Sequence, residues 1–286
     1  MKVLKVNNIS KKFNSEYALK NISFEVEKGE IFGIIGPDGA GKTTLFRILT
    51  TLILSDSGNA MIIENDIIKD YKEIRKILGY MPGSFSLYHD LSVEENLEFF
   101  ASVFNVSIED NYYLIKDIYS HLQLFKKRRA GNLSGGMKQK LALSCALIHK
   151  PEILFLDEPT TGVDPVSRKE FWQMLKRLQN QGITIIVSTP YMDEAKLCDR
   201  IALINKGEFI DIDSPEAIIS KFPKKLFRVE GDNMPILLKQ LRENANIETC
   251  YSFGDSCHIT LKDEKEGINY KEIKPTIEDY FMRLSE

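Results

Sequence analysis

The segment GPDGAGKTT at residues 36–44 constrains the fold of this chain more than any other feature. It matches the pattern G-x-x-x-x-G-K-[ST] and stands between a short apolar run, EIFGIIG at 30–36, and the helical pattern TTLFRILTTLI at 43–53. Glycines allow several backbone N–H groups to converge on one anion, and the start of a helix adds a partial positive charge. A strand, a glycine-rich loop and a helix in this order predict an α/β fold with a phosphate-binding loop.

This loop supplies the first group of candidate binding residues. The Lys42 ammonium is expected to reach the β- and γ-phosphates of a nucleoside triphosphate, and the Thr43 hydroxyl is expected to hold Mg²⁺. A glycine-rich turn without a ligand is the alternative, and the complete order of strand, loop, Lys-Thr pair and helix argues against it. The predicted nucleotide-binding residues of the segment are Gly36, Asp38, Gly39, Ala40, Gly41, Lys42, Thr43 and Thr44.

A second candidate group comes from ILFLDEP at residues 153–159. Asp157 ends an apolar strand, so its carboxylate is predicted to lie at the carboxyl edge of the sheet, where Mg²⁺ is expected. Glu158 follows directly and is placed to polarise an attacking water as a general base. An Asp-Glu pair alone also fits a solvated strand end. Together with the glycine-rich loop, however, it predicts a site that binds a nucleoside triphosphate.

Composition limits the remaining possibilities. The 286 residues suffice for one large α/β domain and a small appendage. The formal net charge of −3 gives no electrostatic argument for nucleic acid or anionic lipid as a direct partner. No apolar run approaches the ~20 residues that span a bilayer, and MKVLKVNNISKKF at the N-terminus lacks the apolar core of a signal peptide. We therefore expect a cytoplasmic protein whose four cysteines are free thiols.

The pattern of hydrophobic residues divides the chain into two domains. Antiparallel strands are predicted over residues 3–28, and long amphipathic helices are predicted over about 84–150, where Ser92 and Glu95 fit a capping box. Near residue 220 the basic, proline-containing stretch KFPKK predicts a linker, and a β-α-β-β-α pattern follows. We predict a first domain over 1–220, which contains the helical insertion, and a small accessory domain over 221–286.

The stretch LSGGMKQK at 133–140, shortly before ILFLDEP, makes a family recognisable. Over about residues 1–220 the chain resembles the ATP-binding subunits of ABC transporters. The resemblance implies a P-loop NTPase fold of the ABC ATPase type, with an antiparallel β subdomain, an inserted helical subdomain and here a small α+β C-terminal domain. It also implies ATP and Mg²⁺ as ligands. Two such subunits pair head to tail in the family, and each ATP lies between one phosphate loop and the partner's LSGG segment, here Ser134, Gly135 and Gly136.

Other residues match the family one at a time. Phe13 matches the aromatic residue that stacks on adenine, with Tyr17 as a weaker candidate. Asp164, in TTGVDP, matches the aspartate that crosses the dimer interface. The helical subdomain of the family contacts an integral membrane permease, which implies a peripheral location at the inner face of the cell membrane. The tail, which ends in TIEDYFMRL, is similar to those of exporter-type ATPases for drugs, lipids or polysaccharides.

Two positions depart from the family. A glutamine that senses Mg²⁺ and the attacking water is replaced by Gly83, and a histidine that touches the γ-phosphate is replaced by Pro190. Proline is favoured at the first position of a helix, so we expect Pro190 to start the YMDEAKLC helix without contacting phosphate. ATP binding is therefore expected to persist while hydrolysis slows, unless residues such as Ser188, Thr189 or Tyr191 replace the lost contacts.

Three functions remain open at this stage. The first is ATP-driven transport, most consistent with export, in which the chain powers a separate permease together with a second ABC ATPase subunit of the same or a different kind. The second is a non-transport ABC ATPase of DNA repair or translation. The chain has one nucleotide domain and no long coiled-coil insertion, which argues against the second function. The third is a regulatory subunit that binds nucleotide with little hydrolysis, which Gly83 and Pro190 favour.

Overall fold

The chain forms two compact units, Met1–Ile212 and a second unit that begins at Asp213. A computed structural model describes residues 1–84, 86–263 and 270–285. The strands of the first unit are β1 (Lys2–Phe13), β2 (Glu16–Glu27), β3 (Ile31–Ile35), β4 (Ser57–Ile62), β5 (Asn65–Asp66), β6 (Leu78–Met81), β7 (Ile153–Asp157), β8 (Thr184–Thr189), β9 (Arg200–Asn205) and β10 (Glu208–Asp213). Its α-helices are α1 (Lys42–Leu49), α2 (Tyr71–Ile77), α3 (Val93–Val103), α4 (Ile108–Tyr119), α5 (Gly135–Leu147) and α6 (Pro165–Asn180).

A six-stranded sheet forms the centre of the first unit, in the order β10-β9-β3-β8-β7-β6. Strands β3, β6, β7, β8 and β9 are parallel. Every residue of β3, β7 and β8 is buried, as expected for apolar strands covered on both faces. Since β8 lies between β3 and β7, the carboxyl ends of these three strands are adjacent. The sheet therefore brings the loop after β3 and the acidic end of β7 to the same edge.

A separate antiparallel sheet has the order β2-β1-β4-β5, which confirms the antiparallel subdomain that the sequence predicts. Its buried face shares one hydrophobic core with α1 and with the central sheet. Phe24 of β2 stacks on Phe32 of β3 with ring centroids 5.3 Å apart. On the helix side, the Phe46 ring of α1 meets Phe155 of β7 edge-on at 5.5 Å. This packing fixes α1, and with it the loop that precedes α1, against the strands.

The predicted helical region contains α3, α4 and α5, which confirms the insertion between β6 and β7. Within the predicted range 84–150, Phe85 lies outside the described residues. Ser92 caps α3 as predicted: its hydroxyl accepts from the Glu95 N–H at 3.2 Å, and the Glu95 carboxylate accepts from the Ser92 N–H at 2.7 Å. Among the described residues, no helix has the length and apolarity needed to cross a bilayer.

The second unit contains a four-stranded sheet in the order β12-β13-β11-β14. The short strand β14 adds to the predicted β-α-β-β-α order. The unit begins at Asp213, earlier than the sequence boundary of 220/221, because α7 packs against α9. Residues 264–269 and the last residue of the predicted final helix lie outside the described residues. The elements of this unit are α7 (Pro215–Ser220), β11 (Leu226–Glu230), α8 (Met234–Glu243), β12 (Ile247–Phe253), β13 (Ser256–Leu261), β14 (Lys271–Ile273) and α9 (Ile277–Ser285).

A fully buried carboxylate, that of Asp279, joins α9 to the sheet of the second unit. One of its oxygens accepts from the Tyr251 hydroxyl at 2.9 Å and contacts His258 Nδ1 at 2.6 Å. The other oxygen accepts from the N–H and the hydroxyl of Thr276, at 2.7 and 2.6 Å. Charged hydrogen bonds of this kind are strong when they are buried and fully satisfied. The carboxylate therefore anchors the start of α9.

Replacing Asp279 by Asn is expected to lower the free energy of unfolding of the second unit by about 2–3 kcal/mol, because an amide N–H₂ group would face donors of Tyr251 or Thr276. Hydrogen exchange of the β12 and β13 amides in the full chain measures this change. Asp255→Asn is the control, since Asp255 is exposed and pairs only at the surface with Arg228 at 3.0 Å. Its expected cost is below about 1 kcal/mol. Equal costs for the two variants would contradict the anchoring role.

Candidate phosphate-binding site

The loop after β3 has a backbone that only glycine can follow at two positions. A Cβ at Gly36 would lie 2.1 Å from the Ile204 carbonyl oxygen, and one at Gly41 would lie 2.4 Å from the Ala18 carbonyl oxygen. Gly41 also has φ +105°, a left-handed conformation that residues with side chains rarely adopt. These close approaches hold the loop against β9 and β2, so that α1 begins at Lys42 directly behind it. Within the loop, Ala40 is buried and Asp38 is exposed.

Lys42 fills the space inside the loop. Its side chain is 3% exposed, and Nζ donates to the carbonyl oxygens of Gly36 at 2.8 Å and Pro37 at 3.0 Å. Nζ also lies 3.0 Å from Glu158 Oε1. A buried ammonium is tolerated only when its donors are satisfied, and these three oxygens satisfy them. The structure thus places a positive charge inside a glycine-rich loop at a helix start, an arrangement that suits an anion.

Asp157 ends β7 at the edge of the sheet with 1% of its surface exposed. Its Oδ1 accepts from the Ser188 hydroxyl at 2.6 Å, and the Thr43 hydroxyl also donates to its carboxylate. Burial raises the pKa of the Asp157 carboxyl above its usual value, while these two hydroxyl donors oppose the rise. A carboxylate and a hydroxyl are hard oxygen ligands of the type that Mg²⁺ prefers. The structure therefore brings together the two residues that the sequence assigned to a metal.

Glu158 has an unusual backbone conformation, with φ +49°. Ser188 stabilises this conformation, because the Glu158 N–H donates to the Ser188 carbonyl at 3.1 Å and to its hydroxyl at 3.0 Å. A left-handed backbone conformation costs free energy in any residue other than glycine, and such residues occur often at functional sites. Here the conformation is associated with a Glu158 carboxylate that pairs with Lys42 and accepts from the Thr161 hydroxyl at 3.4 Å.

Gly83 and Pro190, the two positions at which the sequence predicts departures from the family, follow β6 and β8. A Cβ at Gly83 would lie 3.1 Å from the Asp157 carbonyl oxygen and 3.8 Å from its carboxyl carbon, so a side chain at this position would start next to Asp157. Pro190 follows β8, but the prediction that it starts a helix is wrong. A 3₁₀-helix begins at Met192 with Tyr191 as N-cap. The reason is a turn in which the Tyr191 N–H donates to the Thr189 hydroxyl at 3.1 Å.

The LSGG segment lies against a neighbouring turn of the same chain. Ser134 caps α5, and its hydroxyl accepts from the Met137 N–H at 3.4 Å. A Cβ at Gly135 would lie 3.5 Å from the Gly162 carbonyl oxygen, and one at Gly136 would lie 2.7 Å from the Ser167 hydroxyl. These contacts are with the turn before α6 and with the first turn of α6. Among the residues the structure describes, no hydrogen bond joins this segment to the loop at 36–44.

The remaining candidates are placed as follows. Phe13 is 52% exposed at the end of β1, so it is not a core residue. Tyr17 at the start of β2 is also exposed, and the Lys12 Nζ lies 4.1 Å from its ring centroid. Asp164 caps α6, where Oδ1 accepts from the N–H groups of Val166 at 3.1 Å and Ser167 at 3.0 Å. Hydrogen bonds, led by that from the Ser167 N–H, lower the pKa of the Asp164 carboxyl.

Sequence reasoning missed the double role of Ser188. The sequence indicates Ser188 only as a substitute for a lost contact, whereas its hydroxyl donates to Asp157 and accepts from the Glu158 N–H. A serine in an apolar strand carries no signal of such contacts. Only the pairing of Asp157 with Ser188 across β7 and β8 reveals them.

The chain is similar to known ATP-binding proteins. A family model described as ABC transporter matches residues 19–161. The chain is 38% identical to "Probable multidrug ABC transporter ATP-binding protein YbhF" of Escherichia coli over 99% of its own length, and it spans about half, 52%, of that relative. It is 33% identical to "Nod factor export ATP-binding protein I" of Burkholderia lata, over 97% of this chain and 95% of that protein.

A solved structure is similar as well. It is a dimeric post-hydrolysis state of the ATP-binding cassette MJ0796 bound to ADP and Pi, with a TM-score of 0.67 and 27% identity. The match covers 74% of this chain and 98% of that one. The Burkholderia relative matches almost end to end. The chain therefore belongs to the ABC transporter family of ATP-binding proteins.

Proposed function

We propose that this chain is the ATP-binding and ATP-hydrolysing subunit that powers transport through a separate membrane permease. The observation that carries the proposal is the meeting of Lys42, Asp157 and Glu158 at one edge of a parallel sheet, with the Lys42 ammonium 3.0 Å from Glu158. A cation for phosphate, a buried carboxylate for metal and a second carboxylate for water are the groups that hydrolysis of a nucleoside triphosphate requires.

Binding of ATP uses the loop and Lys42. The backbone N–H groups of the loop converge on the β- and γ-phosphates, and Lys42 exchanges its contacts with the Gly36 and Pro37 carbonyls for phosphate oxygens. Phe13 offers an exposed ring to the adenine. The loop residues fix the phosphates, so most of the affinity is expected from residues 36–44.

Residues next to the loop would bind the metal and activate the water. Thr43 and Asp157 would hold Mg²⁺, since the Thr43 hydroxyl faces the carboxylate of Asp157, which is buried. A bound metal would supply positive charge that offsets the charge of the phosphates. Glu158 acts as the general base. Once Lys42 turns to phosphate, the Glu158 carboxylate is released from its ion pair and can accept a proton from a water at the γ-phosphate. Ser188 holds the Glu158 backbone in place during this step.

Hydrolysis at this chain's own loop is proposed to be slow. Gly83 has no side chain to extend beside Asp157, and Pro190 has neither an N–H nor a polar side chain at the end of β8. These two positions also favour a second candidate function, a nucleotide-binding regulatory subunit with little turnover. Rapid ATP turnover by the chain would exclude this second candidate.

The proposed partners are a second ABC ATPase subunit and the permease. In the proposed head-to-tail pair, Ser134, Gly135 and Gly136 would lie over the phosphate loop of the other subunit, and Asp164 would lie at the interface. For the permease, an apolar groove of about 430 Å³ in the first unit is available, lined among others by Leu52 and Val103, both more than half exposed. Relatives named for multidrug transport and Nod factor export support export as the direction. Such a subunit is expected at the inner face of the cell membrane, and co-purification with a membrane protein tests this partnership.

Replacing Lys42 by Met is expected to weaken ATP affinity about tenfold or more, because hydrogen bonds to charged groups contribute roughly 1.5–3 kcal/mol each. Titration of the purified chain with ATP by calorimetry measures the change in Kd. Lys76→Met is the control, since Lys76 is exposed on α2 and pairs only with Glu73. Unchanged affinity in Lys42→Met would remove Lys42 from the proposed site, and no ATP binding by the native chain would contradict the proposed function itself.

A further inference from the structure

A buried carboxylate outside the phosphate site connects the segments that surround it. Glu194 lies on the 3₁₀-helix Met192–Leu197 and is 2% exposed. Its carboxylate accepts from the Thr160 hydroxyl at 2.9 Å and from the Thr189 hydroxyl at 2.6 Å. The Arg168 guanidinium donates to the same carboxylate from Nε at 3.1 Å and from Nη2 at 3.0 Å. Two hydroxyls and one guanidinium therefore share one buried anion.

Each of these three partners belongs to a different functional segment. Thr160 follows Glu158 by two residues, in a turn closed by the Thr161 N–H donating to the Glu158 carbonyl at 3.2 Å. Thr189 ends β8 and directly precedes Pro190. Arg168 lies in the first part of α6, whose N-cap is Asp164. Glu194 thus ties the turn of the proposed general base to the segment that lacks the family histidine and to the start of α6.

The chemistry of the network requires a carboxylate. Both hydroxyls donate, and arginine only donates, so the acceptor must take hydrogen bonds from all three without offering one. The Arg168 charge compensates the buried anion, and the Tyr191 ring covers the guanidinium at 4.1 Å from its centroid. A glutamine at position 194 would turn an N–H₂ group toward a donor. Satisfied buried networks of this kind hold their members in one arrangement.

We propose that Glu194 is a positioning residue for ATP hydrolysis. This inference rests on the proposed function. It holds Thr160 so that the turn after β7 presents the Glu158 carboxylate to the phosphate loop, and it holds Thr189 so that residues 189–191 keep their turn. Orientation at the end of β8 then depends on Thr189 and Glu194, and the side chain of residue 190 is not needed for it. Glu194 makes no contact with Lys42, Thr43 or Asp157 among the contacts of the described residues, so it is expected to affect the rate and not the binding of ATP.

The test compares Glu194→Gln with Asp193→Asn in the full chain. Asp193 is the matched control because it is next in sequence and pairs with the same Arg168 at 3.5 Å, yet it is largely exposed. Glu194→Gln is expected to lower kcat about tenfold or more, with the Kd for ATP within about twofold of the native value. Asp193→Asn is expected to leave both unchanged. Thr160→Val should also lower kcat, and Thr160→Ser, which keeps the hydroxyl, should restore it.

Two further readouts separate positioning from general stability. In a Glu158→Gln background, Glu194→Gln is expected to cause no additional loss of rate, since it acts through Glu158. Without nucleotide, Glu194→Gln should increase hydrogen exchange of the amides at 158, 160–163, 187–189, 191 and 192, while Asp193→Asn should not. Unchanged exchange at these amides would overturn the inference, whether or not the native chain hydrolyses ATP. A parallel loss of kcat, ATP affinity and thermal stability would overturn it too, whereas absence of turnover in the native chain would contradict only the proposed function.

Discussion

Replacing Glu158 by Gln is expected to lower the rate of ATP hydrolysis about a hundredfold to a thousandfold while ATP still binds. Glutamine has nearly the same shape but cannot accept a proton from water, so the change removes base chemistry with little change in volume. The backbone of residue 158 stays fixed, because its N–H donates to the carbonyl and hydroxyl of Ser188. Steady-state phosphate release and an ATP titration on the same protein preparation measure the two effects.

The control for this prediction is Glu152→Gln. Glu152 is exposed and lies just before β7, at the end of the strand remote from Asp157 and Glu158. The Glu152→Gln variant loses the same charge as Glu158→Gln in the same region of the sequence, but away from the proposed site. Its turnover should therefore match that of the native chain. The Glu158 variant loses the partner of the Lys42 ammonium in the nucleotide-free state, and its ATP affinity should therefore be equal or higher. If Glu158→Gln retains native turnover, another group must activate the water.

The sequence predicts the phosphate site because its parts are local or follow from sheet topology. The loop at 36–44 is one continuous motif, and the carboxyl ends of parallel strands meet at one edge, which places Asp157 near Thr43. Glu158 needed only its position after Asp157. The closeness of Asp157 to Thr43 also requires the strand order of the structure, in which only β8 separates β3 from β7. In this order the Lys42 ammonium lies 3.0 Å from Glu158 Oε1.

Features that depend on distant partners were not predictable. The contacts of Glu194 reach Thr160 and Arg168, which lie far from it in sequence and come near only because β7 and β8 pair. The start of the second unit at Asp213 depends on α7 packing against α9, which follows it by more than fifty residues. Pro190 was expected to begin a helix because proline favours that position. Instead, the Tyr191 N–H donates a hydrogen bond to the Thr189 hydroxyl, and the helix begins at Met192.

The double substitution Gly83→Gln/Pro190→His is expected to raise the rate of hydrolysis about tenfold to a hundredfold. One preorganised donor at the transition state contributes about 10²–10³ in rate. The expected increase is smaller than this because the new side chains would be imperfectly placed. A glutamine at 83 would extend from a Cβ position 3.8 Å from the Asp157 carboxyl carbon. A histidine at 190 would follow Thr189, whose position is fixed by Glu194. Each single variant is measured beside the double variant. Gly254→Ala is not used as a control, because Gly254 has a φ of +59° and an alanine there would be strained.

The result also distinguishes two kinds of assembly. A large gain in the double variant means that the native loop holds ATP and turns it over slowly. An assembly with such a slow site works best when the partner is a different subunit that keeps the glutamine and histidine. This chain's Ser134, Gly135 and Gly136 would then complete the partner's faster site. No gain, with substantial native turnover that Glu158→Gln abolishes, means that Ser188, Thr189 or Tyr191 has replaced the missing contacts. A pair of identical subunits then suffices, since each site would contain all the groups that hydrolysis needs once the partner adds its own Ser134, Gly135 and Gly136.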